Sequence, residues 1–507
     1  MRVSLYADDT VTFANPTREE VQALLQILHS FGDATSLRLN QEKSSVGPIR
    51  CEGINLLEVL QDFRGKLVDF PMTYLGLPIS SHRIRLVHLQ FILDRIKARL
   101  AGWKGKLMNI AERRVLVRSV LSAMPTFALT PLRPPKKLLK EIDKTRRRFL
   151  WVQKSEATGA ACKVSWKMVC TPTEKGGAGI PDLQSMSRAL RLRWLWLAWT
   201  QPNSPWICFP TPCDQGDKDL FATTTKVTIG DGKRARFWTC CWLGDEPLCT
   251  SFPALYKLSK RKSRSVAEAL LDHQWIKDLQ SGDWESMITD FVRMAQRIRA
   301  HGQTLQGQAE DTILWTVSSK GVYTAKSAYK LQFKSMPSTE MKILIWKVWA
   351  PGKIKLFAWL LHLDRLWCND RLQRKQWPNS YFCQLCLRNL ESSTHLFWNC
   401  SVSRAVWAGA ADWRHCSSLH PTEQQQGSIT RAVSNIVSKA KKEEKKCVKT
   451  MIMPLTWELW NGRNNCTFRE KTACPNDILA GIRRIMEQWR IARAKDIETP
   501  FGDIVGR

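Results

Sequence analysis

The sequence predicts an α+β protein of several domains. Its 507 residues are enough for about three domains of ordinary size. Hydrophobic residues make up 44% of the chain, which allows sizeable cores. Alternating strand-like runs stand at the start, long amphipathic helical segments follow, and a compact group of Cys and His residues lies near residue 390. Together these features favour small β elements at the start and mostly helical regions after them.

The charge of the chain is strongly positive. Lys and Arg number 77 against 46 Asp and Glu, a formal net charge of +31. Such a surplus favours an anionic partner, RNA or DNA above all, although a basic surface without that role stays open. No lipidation motif or long basic amphipathic helix stands out, so we expect no membrane partner.

The cysteines and the apolar runs bear on the compartment. Sixteen scattered cysteines in a chain of this length do not form the pattern of a secreted disulfide framework. No signal peptide opens the sequence and no apolar run reaches the length of a membrane span. We expect a reducing intracellular compartment, the nucleus or the cytoplasm. The 23 tryptophans are expected to serve mainly as core anchors.

The first motif is an acidic hairpin. Tyr6-Ala7-Asp8-Asp9 lies between two alternating runs, Arg2–Leu5 and Thr10–Phe13. This arrangement predicts a hairpin with adjacent carboxylates at its tip. Two neighbouring carboxylates suit Mg²⁺, but the spacing alone favours an ordinary acidic turn, because Asp is common in turns.

A helix and short elements follow the hairpin. Thr17 and Glu20 have the spacing of a capping box, and Gly32 is placed to end the helix that they begin. Residues 37–40 are predicted as strand-like, before a loop with Lys43. Tyr74-Leu-Gly-Leu-Pro78 predicts a turn.

Residues 85–148 are predicted to be helical and very basic. Between Arg95 and Arg148 there are 16 Lys and Arg against three acids. An amphipathic helix with a basic face indicates contact with a phosphate backbone, while a solvated charged face is the alternative. The predicted contact residues are Arg113, Arg114, Arg118, Lys136, Lys137, Arg146, Arg147 and Arg148.

Two further hairpins are predicted. Asp231-Gly232 joins residues 227–229 to residues 235–238 as a tight turn, and residues 312–317 pair with Val322-Tyr323. Helices are expected from Thr324 to Phe333, around residues 343–346 and over residues 353–361.

The spacing of three cysteines and one histidine predicts a metal site. Cys383 and Cys386 form a Cys-x-x-Cys pair, His395 follows after eight residues, and Cys400 follows after four more. Three thiolates and one imidazole complete a tetrahedral shell around structural Zn²⁺ with no open position for water. Incidental cysteines and a redox Cys-x-x-Cys pair are the alternatives. His415 and Cys416 lie nearby as substitute ligands, so His395 is the least secure of the four.

Taken together, these landmarks resemble the reverse transcriptase polyprotein of plant non-LTR (LINE-type) retrotransposons, from mid-polymerase to the carboxyl end. Tyr6–Asp9 is similar to the catalytic hairpin of the palm, and Tyr74-Leu75-Gly76 is similar to the primer-gripping turn. The order and spacing of the landmarks carry the resemblance, which spans nearly the whole chain. The other matching positions are Leu39-Asn40, Lys43-Ser44, Trp103, Arg113, Leu116, Val120, Pro125, Gly176–Ile180, Ile229–Gly232, Phe237-Trp238, Trp346, Pro351, Lys353, Phe357, Trp359 and the Cys/His set.

The resemblance implies RNA-templated DNA synthesis with two Mg²⁺ ions. Asp8 and Asp9 would hold metal, Tyr6 would lie near the primer terminus, and Lys43 would protonate the pyrophosphate. In the family, a third carboxylate and the fingers lie upstream of this hairpin. We therefore expect a truncated palm that is inactive alone, unless element-encoded proteins supply the missing parts.

The expected regions are a partial palm (1–84), a basic helical thumb (85–150), a Trp/Gly-rich linker (151–310), a zinc-binding domain (311–410) and a helical C-terminal region (411–507). Two non-catalytic alternatives stay open, a nucleic-acid-binding module and a protein-interaction module derived from a retroelement. The sequence does not indicate an oligomeric state.

Overall fold

The computed structural model describes residues 3–82, 84–102, 107–152, 162–207, 209–280, 284–301, 309–421 and 427–492. The predicted landmark Trp103 lies outside these residues. The fold is mixed α+β and largely helical, as the sequence predicts. Within the described ranges, no helix combines the length and apolar composition that crossing a membrane requires.

The helices of the described residues run in this order: α1 (Arg18–Thr35), α2 (Leu56–Val59), α3 (Gln90–Ala101), α4 (Ile110–Leu116), α5 (Thr126–Leu129), α6 (Lys136–Trp151), α7 (Trp166–Cys170), α8 (Leu183–Thr200), α9 (Gln215–Thr224), α10 (Leu248–Ser251), α11 (Pro253–Leu258), α12 (Val266–Leu270), α13 (Gln274–Lys277), α14 (Trp284–His301), α15 (Ala325–Leu331), α16 (Gly352–His362), α17 (Asn369–Arg374), α18 (Ser401–Trp413), α19 (Ile429–Lys439), α20 (Lys445–Arg469) and α21 (Pro475–Ile491). Single π-helical turns cover Val117–Leu121, Lys342–Trp346 and His395–Asn399.

The strands form four two-stranded sheets in the part of the chain that is described. The pairs are antiparallel β1 (Val3–Tyr6) with β2 (Asp9–Thr12), parallel β3 (Ser45–Val46) with β4 (Lys66–Leu67), antiparallel β5 (Met72–Tyr74) with β6 (Leu77–Ile79), and antiparallel β7 (Thr225–Thr228) with β8 (Thr312–Trp315).

The chain divides into two compact units, each built from separate stretches. The first unit comprises Met1–Ala98, Phe127–Glu141 and Leu190–Tyr323. The second unit comprises Arg99–Thr126, Ile142–Ala189 and Thr324–Arg507. The five predicted regions stay a prediction.

The first unit contains the predicted acidic hairpin. Tyr6 pairs with Asp9 across the strands, so the connecting turn has two residues, and Ala7 has a positive φ of 51°. Leu5 and Tyr6 are 71% and 63% exposed. The predicted turn near residue 75 also joins two paired strands, because Leu75 and Gly76 connect β5 to β6.

Three predicted details near the start of the chain are wrong. Helix α1 passes through Gly32 and ends three residues later, with Ser36 in the left-handed region. Gly32 lies close to the chain that follows the helix, since a Cβ there would be 3.1 Å from the carbonyl oxygen of Leu37. Residues 37–40 form no strand, and Lys43 ends a short 3₁₀ turn rather than lying in a loop.

The capping of α1 follows only half of the predicted box. The backbone N–H of Glu20 donates to the Thr17 hydroxyl at 3.4 Å. The Glu20 carboxylate accepts instead from the backbone and side chain of Asn15, at 2.6 and 2.5 Å. An N-terminal hydrogen bond of this kind stabilises a helix by about 1 kcal/mol.

Neither predicted hairpin of the middle region forms. Strand β7 pairs with β8, so residues 225–228 pair with residues 312–315 and not with residues 235–238. The Asp231-Gly232 loop wraps around the buried carboxylate of Asp311. That carboxylate accepts from the backbone N–H groups of Gly230 at 2.8 Å, Gly232 at 2.9 Å, Arg234 at 3.0 Å and Ala235 at 2.9 Å.

The Trp-rich region predicted as a linker has a hydrophobic core. Its buried side chains include Phe237, Trp238, Phe252 and Trp275, with the Phe237 ring 5.2 Å from that of Trp238. In the same unit Trp315 is wholly buried, and in the second unit Trp359 and Trp407 are 1% and 2% exposed. Tryptophan therefore serves as a core anchor at these positions, as predicted.

Candidate metal centre

The first two cysteines of the predicted metal site lie on one tight turn. Phe382 pairs with Leu390 across an isolated antiparallel bridge that closes the base of the turn. The backbone N–H of Cys383 donates to the carbonyl oxygen of Asn389, and that of Leu387 donates to Cys383, both at 2.8 Å. Leu387 has a φ of 52°, which reverses the chain just after Cys386. The two thiols of the Cys-x-x-Cys sequence are thereby presented from one turn.

The other two residues lie at the ends of a π-helical turn. His395 begins this turn, and the backbone N–H of Cys400 donates to its carbonyl oxygen at 2.8 Å. This i to i+5 bond brings Cys400 back over His395. Cys400 is also the N-cap residue of α18. Its thiol therefore lies where the positive end of a helix dipole favours negative charge.

The four side chains converge on one point. Their ligand atoms all lie within 4.8 Å of one another. The Sγ atoms of Cys383 and Cys400 are 3.9 Å apart, and the Sγ of Cys386 is 3.4 Å from the Nε2 of His395. Bond lengths of zinc to sulfur and nitrogen place two sulfurs about 3.8 Å apart, and a sulfur and a nitrogen about 3.5 Å apart, in a tetrahedral shell. The geometry is therefore consistent with structural Zn²⁺.

Burial of the ligands agrees with a closed site. Cys383 and Cys400 are fully buried and His395 is 9% exposed, while Cys386 is partly exposed. Of the Cys, His, Asp and Glu side chains in the described residues, these four lie close enough together to hold one metal ion. Four protein ligands leave no position for a reacting water, so the centre is structural in kind.

A hydrogen bond joins two of the four thiol and imidazole side chains directly. The Cys383 thiol donates to Cys400, and this hydrogen bond lowers the pKa of the Cys400 thiol well below its usual value. The same bond, with burial, raises the pKa of Cys383 well above its usual value. The hydrogen bond from the His395 ring to Cys400 raises the pKa of His395. Zinc binding would replace the Cys383 proton, because a metal ligand must be a thiolate.

Aromatic side chains hold the π turn in place. The indole N–H of Trp407 donates to the carbonyl oxygen of Phe397 at 2.8 Å, and the hydroxyl of Ser403 donates to that of Leu396 at 2.6 Å. The ring of Trp398 stacks on that of Trp407 at a centroid distance of 6.0 Å. Two carbonyls freed by the π turn are thus bonded by α18.

A buried ion pair ties the Cys/His segment to α20. Arg463 is 3% exposed and Glu391 is 1% exposed. The Nη2 of Arg463 donates to the Oε1 of Glu391 at 2.7 Å, and its Nε lies 3.1 Å from both carboxylate oxygens. Arg463 also donates to the side-chain oxygen of Asn369 at 3.1 Å, and the amide of Asn369 donates to the carbonyl oxygen of Phe382 at 2.9 Å. The network therefore reaches the base of the Cys383 turn.

Sequence reasoning missed this network. Glu391 and Arg463 are 72 residues apart, so no local spacing connects them. The helix that contains Arg463 also carries Lys445, Lys446, Lys449, Glu458 and Arg469, so its sequence does not mark Arg463 as the buried charge.

The alternative ligands lie elsewhere. Cys416 is buried with its Sγ 3.2 Å from the hydroxyl of Ser418, and His415 has a φ of 47° in the turn after α18. Neither belongs to the group of four converging ligands. The Cys383–Cys386 turn is not the start of a helix either, which is where a redox Cys-x-x-Cys pair is expected.

The residues predicted for polymerase catalysis are all at the surface of the first unit. Asp8 lies in the turn of the first hairpin, and Asp9 begins β2 opposite Tyr6. Both aspartates and Lys43 are exposed, and Tyr6 is 63% exposed. No group of three potential ligands includes Asp8 or Asp9 within the described residues.

The predicted phosphate-contact residues differ in exposure. Lys136 and Lys137 are exposed at the start of α6 in the first unit. Arg146 is fully buried, bonded to Asp143 at 2.6 Å, to Ser122 at 2.7 Å and to the Pro181 carbonyl at 2.8 Å. Arg113 is 6% exposed and donates to the Phe149 carbonyl at 3.4 Å.

Arg113 and Arg146 are buried, and their guanidinium groups donate to internal acceptors. These two side chains are therefore not placed to contact a phosphate backbone. Arg118 is exposed, and Arg114, Arg147 and Arg148 are partly exposed, all in the second unit. Periodicity identified the helices but did not show which arginines of the basic stretch face inward.

Comparison with known proteins identifies the class of the region around the metal centre. Residues 323–407 match the family described as zinc-binding in reverse transcriptase. The match includes all four converging ligands.

A particular relative extends the similarity beyond that domain. The chain is 24% identical over 450 residues to a putative ribonuclease H protein of Arabidopsis thaliana, covering 82% of this chain and 69% of the relative. The two matches together support a retroelement-derived protein.

Proposed function

We propose that the chain is part of a retrotransposon RNA-directed DNA polymerase of the non-LTR type. Its zinc-organised second unit serves to bind RNA or DNA. The single observation that carries the proposal is the convergence of Cys383, Cys386, His395 and Cys400 inside the segment that matches a reverse transcriptase zinc-binding family.

The proposed role of zinc is structural. It holds the Cys383 turn against the π turn and α18, and the Arg463–Glu391 network then fixes this segment on α20. An ordered module of this kind presents the surrounding basic residues as a surface rather than as a flexible chain. The net charge of +31 supports a polyanion as its partner.

Binding to single-stranded RNA or DNA is expected to weaken steeply with salt. About six phosphate contacts to a single strand reduce affinity roughly three-hundredfold between 50 and 200 mM salt, because each contact releases counterions. A fluorescence titration with a labelled oligonucleotide, repeated over this range, measures the slope of log affinity against log salt.

Paired variants sharpen this titration. The double variant Arg147→Ala/Arg148→Ala removes two partly exposed cations of the predicted contact set, both in the second unit, and is expected to reduce the slope by about 1.4, since each phosphate of a single strand contributes about 0.7. Lys441→Ala/Lys442→Ala is the matched control, since these adjacent lysines are exposed but are followed by Glu443 and Glu444. An affinity that stays flat with salt contradicts the proposed function.

We further propose that the chain does not polymerise DNA on its own. Asp8 and Asp9 stand exposed on a two-stranded hairpin, whereas a two-metal centre needs several rigidly held ligands. In a primer-extension assay on an RNA template with Mg²⁺, the wild-type chain is expected to give no more product than the Asp8→Asn variant. Mg²⁺-dependent extension that Asp8→Asn abolishes would refute this part of the proposal.

A further inference from the structure

The second unit contains a cavity whose charged lining residues are mostly cationic. Its volume is about 640 Å³, and its charged lining residues are Arg114, Arg118, Lys342, Lys347, Lys355 and Glu174. Five cations therefore face one carboxylate. A volume of this size accommodates a ligand of several functional groups rather than a single ion.

Four of the cations come from four elements that line the cavity. Arg114 lies on α4 and Arg118 follows one turn later in the π-helical turn Val117–Leu121. Lys342 belongs to the π-helical turn that ends at Trp346, and Lys355 belongs to α16. Helix α16 begins at Gly352, itself a lining residue, and a helix N-terminus adds partial positive charge.

Arg114 is held rigidly at the wall. Its Nε donates to the Ala178 carbonyl at 2.8 Å, and Nη2 donates to the same oxygen. The guanidinium lies over the Trp346 ring at 4.3 Å from the centroid. The indole N–H of Trp346 is buried and has no hydrogen-bond partner among the described residues.

The cations lie close enough to oppose one another. Burial and then the charge of Arg118 lower the pKa of Arg114 to about 10. Burial and the charge of Arg114 lower the pKa of Lys355, whose ammonium donates to the Trp346 carbonyl at 3.2 Å. Glu174 offers limited compensation, since it is 4.0 Å from Lys342. A bound anion would relieve this repulsion, because opposite charge favours the protonated forms.

We propose that this cavity binds phosphate groups of a single nucleic-acid strand. Guanidinium and ammonium groups around one concave space suit several phosphate oxygens at once. The exposed Lys347 and the partly exposed Lys342 lie toward solvent, so the strand enters past them and meets Arg114 and Lys355 deeper in. This inference rests on the proposed nucleic-acid binding and assigns that binding a site.

The test uses the full-length zinc-loaded chain and a single-stranded DNA of about 12 nucleotides, within the usual range of site sizes. The double variant Lys342→Ala/Lys347→Ala is expected to reduce the salt slope by about 1.4, because each removed lysine leaves one phosphate of the single strand with its counterions. Lys342→Arg/Lys347→Arg keeps both charges and is expected to retain the wild-type slope. Lys441→Ala/Lys442→Ala again serves as the control outside the cavity.

A second readout reports directly on the cavity. Lysine acylation followed by mass spectrometry compares each lysine with and without the saturating oligonucleotide. Lys342, Lys347 and Lys355 are expected to be protected, with Lys441 and Lys442 unchanged.

The outcomes separate the site from the function. Protection of the cavity lysines with a reduced slope in the Ala variant supports the inference. Salt-dependent binding with a wild-type slope in that variant and no protection of Lys355 overturns the cavity and leaves the proposed function standing. Absence of salt-dependent binding by the wild-type chain overturns both.

Discussion

Replacing Cys400 by serine is expected to abolish stoichiometric zinc binding and to unfold the segment from the Cys383 turn through α18. Serine is a poor zinc ligand, and the apparent free energy of structural zinc binding is about 10 kcal/mol or more. Cys400 is both a ligand and the N-cap of α18. Metal analysis, thermal unfolding and hydrogen exchange of residues 381–413 measure the result.

Matched cysteine variants distinguish zinc loss from a general loss of packing. Cys466→Ser changes a partly exposed cysteine outside the converging group and is expected to leave zinc content unchanged. Cys416→Ser tests the substitute ligand, and it is expected to retain zinc because Cys416 contacts Ser418 instead. Retention of one zinc by Cys400→Ser, together with loss by Cys416→Ser, would show that the ligand set is wrong.

The second large effect is expected from Glu391→Gln. Glutamine keeps the volume of the side chain but removes the charge that pairs with the buried Arg463 guanidinium. Removing one partner of a buried ion pair costs about 3–5 kcal/mol, because the remaining charge is left uncompensated away from water. Denaturant unfolding of the zinc-loaded chain, monitored by a signal from the second unit, measures the change in free energy of unfolding.

A surface ion pair provides the control for this variant. Arg490 and Glu487 are 57% and 53% exposed at a distance of 2.7 Å. Glu487→Gln is expected to cost no more than about 1 kcal/mol, since exposed pairs are solvated and screened. Equal small costs for Glu391→Gln and Glu487→Gln would contradict the role assigned to the Arg463–Glu391 network.

The sequence predicted the features whose information is local. The four zinc ligands fall within eighteen residues, so their spacing alone constrains how they meet. The first hairpin likewise needs only two short alternating runs and a turn. The helix beginning after Thr324 and the helix over residues 353–361 follow from capping and apolar periodicity.

Features fixed by distant partners were not predictable in this way. The Asp-Gly signal at residues 231–232 is genuine turn chemistry, but the acceptor that shapes the loop is Asp311, about 80 residues away. A Cβ at Gly230 would lie 2.0 Å from the Ala309 carbonyl oxygen. The glycine therefore reflects a close approach of two strands of chain rather than a hairpin.

Charge patterning shows the same limit. The stretch from Arg95 to Arg148 is uniformly basic in sequence, yet Arg146 is buried among internal acceptors while Lys136 and Lys137 are exposed. The cationic cavity joins Arg114 to Lys342 and Lys355, more than 200 residues later in the chain. Only tertiary packing brings these charges together.

Zinc content of the wild-type chain tests the central claim most directly. Protein purified under reducing conditions is expected to contain about one Zn²⁺ per chain, and a chelator is expected to release it with loss of order in the Cys383 turn and α18. Elemental analysis and hydrogen exchange before and after chelation give both values. Protein without bound metal, whose residues 381–413 are as protected as they are after added zinc, would contradict the zinc-organised module.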